Sequence, residues 1–137
     1  IQTALLMATM SGVEVNLMFP CKPDHPFVYW ATLSYVGELI MAGANCYTYD
    51  NGFLHAKGLS IDGKACCYGT ANMDIRSFAL NFEVNAMIFD QNIAGEMERI
   101  FREDLKCCTR ITKEMYKSRS VWIRFKEQIS RLLSPVL

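Results

Sequence analysis

The sequence predicts an α/β fold, a mixed β-sheet flanked by helices, as a single domain over residues 1–137. Three observations predict it. An apolar helical pattern followed by glycine and a strand occurs twice in succession, an Asp-Gly dipeptide separates two apolar runs, and amphipathic segments close the chain. A chain of this length buries one core rather than two. Repeated helix-glycine-strand units favour parallel strands with helices packed on the sheet.

The first half of the chain contains both repeated units. Residues 3–10 predict a helix ended by Ser-Gly, and residues 13–19 predict a strand. Residues 27–42 predict a second helix that Gly43 ends, and residues 44–49 a second strand. The apolar run over residues 27–49 is long enough to suggest a membrane span. Its two glycines, Gly37 and Gly43, and the mid-span Glu38 instead favour a helix, a turn and a strand.

The second half of the chain predicts a hairpin, a strand and two helical segments. The hairpin covers residues 53–70 and the strand residues 81–89. Asn92 is the candidate N-cap of an amphipathic helix that runs to residue 107. Residues 113–133 are expected to be helical, and residues 108–137 are expected to be a basic C-terminal helical segment.

The charge distribution is uneven although the formal net charge is zero. Seven cations and two acidic residues follow residue 109, so the end of the chain is net basic and the first 109 residues are net acidic. A nucleic-acid substrate requires a basic groove, which the acidic part disfavours. The six cysteines include two doublets, whose neighbours point to opposite faces of a strand, and predict neither a disulfide framework nor a zinc site. A reducing, cytoplasm-facing compartment is therefore expected.

A hairpin turn is predicted at Asp62-Gly63. This dipeptide between apolar runs is typical of a two-residue turn, because both central residues need positive φ. Ile61 is then expected to pair with Lys64, and this pairing fixes the register of the whole hairpin.

The predicted register brings four polar side chains to one face. Thr70 is placed opposite His55, and Asn72 lies on the diagonal. Lys57 shares the face of His55, because side chains alternate along a strand. A lone histidine is often a hydrogen-bonded structural residue, but this cluster favours a functional site.

The strand predicted at residues 81–89 has a second polar face. Asn81, Glu83 and Asn85 alternate with apolar residues in a segment apolar enough to be a central strand. Buried polar groups cost about 1 to 3 kcal/mol each unless they are hydrogen-bonded. The alternation therefore predicts a shared polar pocket.

These residues resemble a known signature. His55-x-Lys57, then Asp62, then Gly69-Thr70-Ala71-Asn72 resembles the HxKxxxxDxxxxxxGSxN motif of the phospholipase D superfamily. Thr70 stands where the family usually has serine, and it keeps the hydroxyl. Further stretches are similar to the carboxyl-terminal half of bacterial cardiolipin synthases, at residues 20–26, 52–57, 72–77, 81–85 and 132–135.

The resemblance implies a phospholipase D-like half-domain that transfers a phosphatidyl group without metal or cofactor. One histidine attacks phosphorus and forms a phosphohistidine, and a histidine from a second motif protonates the leaving alcohol. A second lipid alcohol then accepts the group, so that two phosphatidylglycerols give cardiolipin and glycerol. The implied location is the cytoplasmic side of a bacterial cell membrane.

The resemblance also assigns roles to individual residues. His55 is the nucleophile, Glu83 holds its Nδ1–H, and Lys57 balances the phosphate charge. Thr70 and Asn72 donate hydrogen bonds to the non-bridging phosphate oxygens.

Asp62 belongs to the family's catalytic motif, but its position assigns it chiefly to the turn.

A second motif is needed for in-line displacement, and the chain carries one. His25 is followed two residues later by Phe27 instead of lysine, so it does not supply the second motif. The expected partner is the amino-terminal half of a longer protein, of which this chain is a piece, or a second copy of the chain. The alternative function is a single-motif phosphodiesterase or nuclease that is active as a homodimer.

Two segments leave alternatives open. The proline-rich loop over residues 20–26 is either a connector or a substrate loop in which Lys22 and His25 are the candidate residues. The basic, apolar segment over residues 113–137 either packs as a terminal helix on the sheet or lies on a membrane surface, with packing favoured and surface contact as a secondary role.

Overall fold

The structure, a computed structural model, describes residues 1–21 and 26–133. The candidate loop residues Lys22 and His25 lie outside the described residues, as does the stretch after residue 133. The predicted α/β class is confirmed. In chain order the elements are α1 (Gln2–Met10), β1 (Asn16–Pro20), α2 (Pro26–Ala42), β2 (Asn45–Tyr49), β3 (Gly58–Ile61), β4 (Ala65–Gly69), α3 (Ile75–Ala79), β5 (Asn85–Ile88), α4 (Gln91–Asp104), β6 (Cys108–Ile111), α5 (Lys113–Lys117) and α6 (Val121–Leu133).

The chain packs into two units, each described by itself. The first combines Ile1–Phe53 with Cys108–Leu137, and the second is Leu54–Cys107. The first contains the sheet β1-β2-β6 and the second the sheet β3-β4-β5. The strands of the described chain are thus divided between two sheets, where the sequence suggested one. The assignment of residues 1–137 to a single domain stays a prediction.

The sheet of the first unit is mixed. Strands β1 and β2 pair in parallel, from Asn16 with Asn45 to Pro20 with Tyr49, as the repeated helix-glycine-strand units predicted. Strand β6 lies antiparallel on the other side of β2. Residues 108–111 are therefore a strand, although the sequence analysis placed them at the start of the basic helical segment.

Helix α2 covers this sheet and ends at a glycine. Gly43 has a φ of 114°, which a residue with a side chain rarely adopts, and the chain turns there into β2. Burial raises the pKa of the Cys46 thiol on β2 to about 11, so this cysteine is a packing residue rather than a nucleophile. The main cluster of buried residues in the described part of the unit is Phe19, Val36, Leu39, Ile40, Ala44 and Cys46.

The apolar run from residue 27 to residue 49 forms the helix, turn and strand that were predicted for it. Within the described ranges, no helix is both long and apolar enough to cross a membrane.

The hairpin of the second unit has the predicted turn but a different register. Asp62 and Gly63 have φ values of 51° and 60°, and Lys64 N–H donates to Ile61 O at 2.9 Å. The ladder, however, pairs Ile61 with Ala65. Lys64 is an extra residue between turn and ladder, as in a β-bulge, and it shifts every pair by one. The predicted pairing of Thr70 opposite His55 is therefore wrong.

The strand predicted over residues 81–89 is shorter and lies at an edge of the described sheet. It begins at Asn85 and pairs with β4. Phe82, one of the apolar residues that suggested a central strand, is fully exposed. Residues 81–84 instead form an irregular segment that leads into β5.

Capping residues explain two further differences. The Asp74 carboxylate accepts a hydrogen bond from Ser77 N at 2.6 Å and begins α3, a five-residue helix that the sequence analysis did not predict. The N-cap of α4 is Asp90 rather than Asn92, because the Asp90 carboxylate accepts from the N–H groups of Asn92 and Ile93.

Candidate active site

His55 and Lys57 lie in the extended segment that precedes β3. His55 is exposed, and Lys57 is half-buried. Lys57 Nζ donates to the His55 carbonyl at 3.1 Å, while Gly69 N–H donates to Lys57 O at 3.3 Å. The second bond continues the β3–β4 ladder by one residue. The ammonium group is thus fixed over the backbone of His55, and the backbone of Lys57 is fixed to β4.

Thr70 connects the end of β4 to the segment before β5. Its N–H donates to Val84 O at 3.0 Å, and Val84 N–H donates to Thr70 Oγ1, also at 3.0 Å. The hydroxyl lies 3.4 Å from Val84 O as a weaker donor. The side-chain oxygen therefore continues the β4–β5 ladder in place of a backbone carbonyl.

Gly69 allows this close approach of the two strands. A Cβ at this position would overlap the Val84 carbonyl and the Asn85 side chain. Asn85 Oδ1 also accepts from Ala71 N–H at 3.4 Å. A glycine directly before Thr70 is thus a packing requirement, independent of any role in chemistry.

Glu83 lies where these contacts converge. Hydrogen bonding to the Thr70 hydroxyl and then to the Asn81 amide, whose Nδ2 is 3.1 Å from Glu83 Oε1, holds the pKa of the Glu83 carboxyl below its usual range. Ser77 and the positive charge of Lys57 lower the pKa further, and partial burial opposes them. Glu83 is therefore a carboxylate at neutral pH, within the electrostatic influence of the Lys57 ammonium.

Ser77 is the residue of this cluster that sequence reasoning missed. It lies on α3 and is 5% exposed. Its hydroxyl faces Glu83 closely enough to influence its pKa, yet it makes no regular hydrogen bond within the described residues. The available signal was Asp74, whose side chain caps α3 and thereby fixes Ser77.

Comparison with known proteins identifies the family. A family described as "Cardiolipin synthase, PLD-like domain" matches residues 1–105. The chain belongs to this family. It is 55% identical over 137 residues to "Cardiolipin synthase" of Oceanobacillus iheyensis and 57% identical over 134 residues to "Major cardiolipin synthase ClsA" of Bacillus subtilis. "Cardiolipin synthase 1" of Staphylococcus epidermidis is 55% identical over 134 residues.

The chain spans less than a third of the length of these cardiolipin synthases. The three matches, in the order given, include 100%, 98% and 98% of this chain and 29%, 28% and 27% of the respective relatives. The resemblance to the phospholipase D superfamily that the motif suggested is confirmed.

The structure brings some of the motif residues together and leaves others apart. Lys57, Thr70 and Glu83 come together, with His55 joined to them through its carbonyl. Asn72 is exposed in the segment between β4 and α3. Asp62 is exposed at the tip of the hairpin, between β3 and β4.

The polar pocket expected from the alternation of Asn81, Glu83 and Asn85 is formed in a different way. Asn81 and Glu83 bond to each other within the irregular segment, while Asn85 bonds to the backbone beyond β4. In the part of the chain that the structure describes, no three His, Cys, Asp or Glu side chains are grouped to hold a metal ion.

The arrangement combines a fixed cation, an ionised carboxylate and a hydroxyl in one cluster, and the exposed His55 is joined to this cluster through its backbone carbonyl. An ammonium and a carboxylate close together can hold a phosphate and orient a histidine at the same time. Because the imidazole is exposed, a phosphorus centre can approach it from solution.

Proposed function

We propose that the chain is the His55-bearing catalytic part of a phosphatidyltransferase that makes cardiolipin and glycerol from two phosphatidylglycerols. The ionised Glu83 beside Lys57 and Thr70 is the observation that carries the proposal, because this cluster is connected to the segment that bears His55. Identity of 54–57% to proteins named cardiolipin synthase supports the choice of lipid substrate.

In the proposed first step, the Nε2 lone pair of His55 attacks phosphorus of one phosphatidylglycerol. A P–N bond forms, the P–O bond to glycerol breaks, and the leaving oxygen takes a proton from a histidine outside this motif. In the second step a hydroxyl of another phosphatidylglycerol attacks phosphorus of the phosphohistidine. A P–O bond forms, the P–N bond breaks, and the proton of the attacking hydroxyl passes to the second histidine. No metal is assigned to either step.

Glu83 is assigned the orientation of His55. A carboxylate whose pKa is held low stays ionised at neutral pH, and it accepts the Nδ1–H so that Nε2 keeps its lone pair for phosphorus. The hydrogen-bond donors around Glu83 fix its own position in turn.

Lys57, Thr70 and Asn72 are assigned to the phosphate. A unit charge pair at about 4 Å is worth about 4 kcal/mol at an effective dielectric of about 20, which is the contribution expected of Lys57. The Thr70 hydroxyl donates towards Glu83 and lies 3.4 Å from Val84 O, so in the proposal its proton turns from these acceptors to a phosphate oxygen when the substrate binds. The exposed Asn72 amide supplies further donors.

The second histidine comes from outside this motif. The remaining length of the relatives provides room for another catalytic half, and a second copy of the chain about a twofold axis is the other source. The proposed location is the cytoplasmic side of a bacterial membrane, where the lipid substrate lies.

The test is a single-turnover assay with phosphatidylglycerol that carries labelled phosphorus, performed on the longer protein that contains this chain. Wild-type protein is expected to retain label under alkaline quench, which preserves phosphohistidine, and to form labelled cardiolipin. His55→Ala is expected to lose both, by at least about 10³-fold.

Lysine variants provide the matched control. Lys57→Met is expected to lower turnover, whereas Lys64→Met, which removes an exposed lysine beside the hairpin turn, leaves it unchanged. Cardiolipin formation by His55→Ala would contradict the proposal. His55-dependent cleavage of DNA would favour the alternative nuclease.

A further inference from the structure

Helix α6 exposes its apolar side. Six of the seven large apolar residues of the helix recur at spacings of three and four, which places them along one side of it, and only Ile123 lies on the other side. Trp122 is 75% exposed and Leu132 81% exposed. We call this side the outer face; it consists of Val121, Trp122, Phe125, Ile129, Leu132 and Leu133.

The opposite side of α6 is the side that packs, and it carries the polar residues Glu127 and Ser130 together with the half-buried Ile123. Glu127 and Ser130 are each 1% exposed. Glu127 pairs with Arg119 at 2.5 Å across the turn between α5 and α6. An ordinary amphipathic helix buries its apolar side and exposes its polar side, so α6 is reversed relative to that rule.

Ion pairs on both sides of the packed face fix this orientation. Arg131 pairs with Glu38 of α2, lies 3.4 Å from the Ser34 hydroxyl and stacks 4.8 Å over the ring of Tyr35. Rotating α6 by half a turn would bury the outer face but leave these charged groups without partners in an apolar contact. The exposed apolar side is therefore specified by the sequence of the helix and not a consequence of loose packing.

Cations border the outer face on both sides. Arg124 follows one edge, with its guanidinium bonded to the Lys117 carbonyl, and Lys126 follows the other. Lys126 Nζ lies 5.6 Å from the ring of Trp30 on α2. An apolar stripe with a tryptophan and flanking cations is typical of a helix that lies in the plane of a bilayer interface.

The apolar surface continues from α6 onto α2. A shallow groove of about 250 Å³ lies between the two helices and is lined by Phe27, Trp30, Phe125, Lys126, Ile129 and Ser130. Aromatic rings with a cation at the rim match the boundary between acyl chains and headgroups.

We propose that the outer face of α6 binds an anionic phospholipid bilayer, with the helix in the plane of the interface. The choice of a lipid surface rests on the proposed lipid substrate and on charge complementarity, because Arg124 and Lys126 would meet anionic headgroups. A second copy docked on the same face would instead bring like charges together.

The test measures binding of the full 137-residue chain to vesicles, by co-sedimentation and by the emission of Trp122 in a Trp30→Phe background. Binding is expected to vesicles of phosphatidylcholine mixed with phosphatidylglycerol, with a blue shift of the emission, and to weaken as salt is added. The double variant Trp122→Ser with Phe125→Ser is expected to bind at least about tenfold more weakly.

Exposed apolar residues on another helix provide the matched control. Met7→Ser with Met10→Ser removes two side chains of α1 that are 65% and 78% exposed, and it is expected to bind as wild type. Far-UV circular dichroism checks that all variants fold. Equal binding by the Trp122/Phe125 double variant, equal binding to neutral vesicles, or a chain dimer that this double variant dissolves would each overturn the inference.

The outcomes separate this inference from the proposed function. His55→Ala is expected to bind vesicles as wild type while forming no cardiolipin. Vesicle binding that fails while His55-dependent turnover persists overturns the membrane face alone. Cardiolipin formation without His55, with vesicle binding intact, overturns the proposed function alone.

Discussion

Glu83 and Glu127 are held in polar clusters whose surroundings shift their pKa values in opposite directions. Glu83 is half-exposed among several donors, and hydrogen bonds from Thr70 and Asn81 lower its pKa. Glu127 is 1% exposed and pairs with Arg119, but the loss of hydration outweighs that partner and raises its pKa. Both carboxylates are perturbed, and only one lies beside the proposed chemistry.

The difference follows from what each cluster stabilises. Several donors around a partly hydrated carboxylate favour its charge, so Glu83 stays ionised at neutral pH. One cation next to a buried carboxylate does not fully compensate for desolvation, so the Glu127 pair fixes the orientation of α6 more than it adds stability. A shifted pKa identifies a functional site only when the direction of the shift fits the chemistry.

The largest expected effect distinguishes the two carboxylates by activity. Glu83→Gln removes the negative charge that is proposed to orient His55, and we expect kcat for cardiolipin formation to fall by about 10²-fold or more. The measurement is initial rate at saturating lipid, with a thermal melt to check folding. Glu96→Gln is the control, since Glu96 pairs with Arg99 on the exposed side of α4. A Glu83→Gln variant with near-normal kcat would remove Glu83 from the mechanism.

The next effect distinguishes them by stability. Glu127→Ala leaves Arg119, whose side chain is 16% exposed, without its partner, and we expect the free energy of unfolding to fall by about 3 kcal/mol. Urea unfolding of the chain provides the measurement. Glu96→Ala breaks an exposed pair and is expected to change nothing measurable. If the two variants unfolded alike, the Glu127 pair would not fix α6.

A third carboxylate, Asp62, sharpens the comparison because its effect is expected through the backbone. Its φ of 51° disfavours residues other than glycine, asparagine and aspartate. We expect Asp62→Ala to lower the free energy of unfolding by about 1 kcal/mol and Asp62→Asn to lower it much less. Activity lost in a stable Asp62→Asn protein would assign the carboxylate to catalysis as well as to the turn.

Periodicity and turn residues predicted the parallel pair β1–β2 and the turn at Asp62-Gly63, because both depend on neighbours in sequence. The register of the hairpin did not follow, since an extra residue such as Lys64 leaves no mark in a turn dipeptide. The strand at residues 81–84 was mispredicted for a related reason. Alternating polarity there reflects the bond between Asn81 and Glu83 and not two faces of a strand.

The composition of the candidate site was predictable from its motif, but its contacts were not. Lys57, Thr70 and Glu83 were placed together, yet Ser77 reaches them only because Asp74 begins a short helix. The orientation of α6 was equally unpredictable from the sequence. It depends on Arg131 meeting Glu38, 93 residues earlier in the chain, and an apolar periodicity alone predicts the opposite face to pack.

The smallest expected effect is the pH dependence of stability. Its sign tests whether the pKa values of Glu83 and Glu127 are shifted in opposite directions. The raised pKa of Glu127 contributes stability that is full below its unfolded value of about 4.3 and is lost as the pH rises through the folded value. The lowered pKa of Glu83 contributes stability that is full above about pH 4.3 and is lost as the pH falls through the folded value. In urea unfolding, the free energy of unfolding of wild type should therefore fall relative to that of Glu127→Gln as the pH rises through this range. Relative to that of Glu83→Gln, it should fall as the pH decreases. Equal slopes for the two variants would mean that both carboxylates experience the same environment, which the contacts of Thr70 and Arg119 contradict.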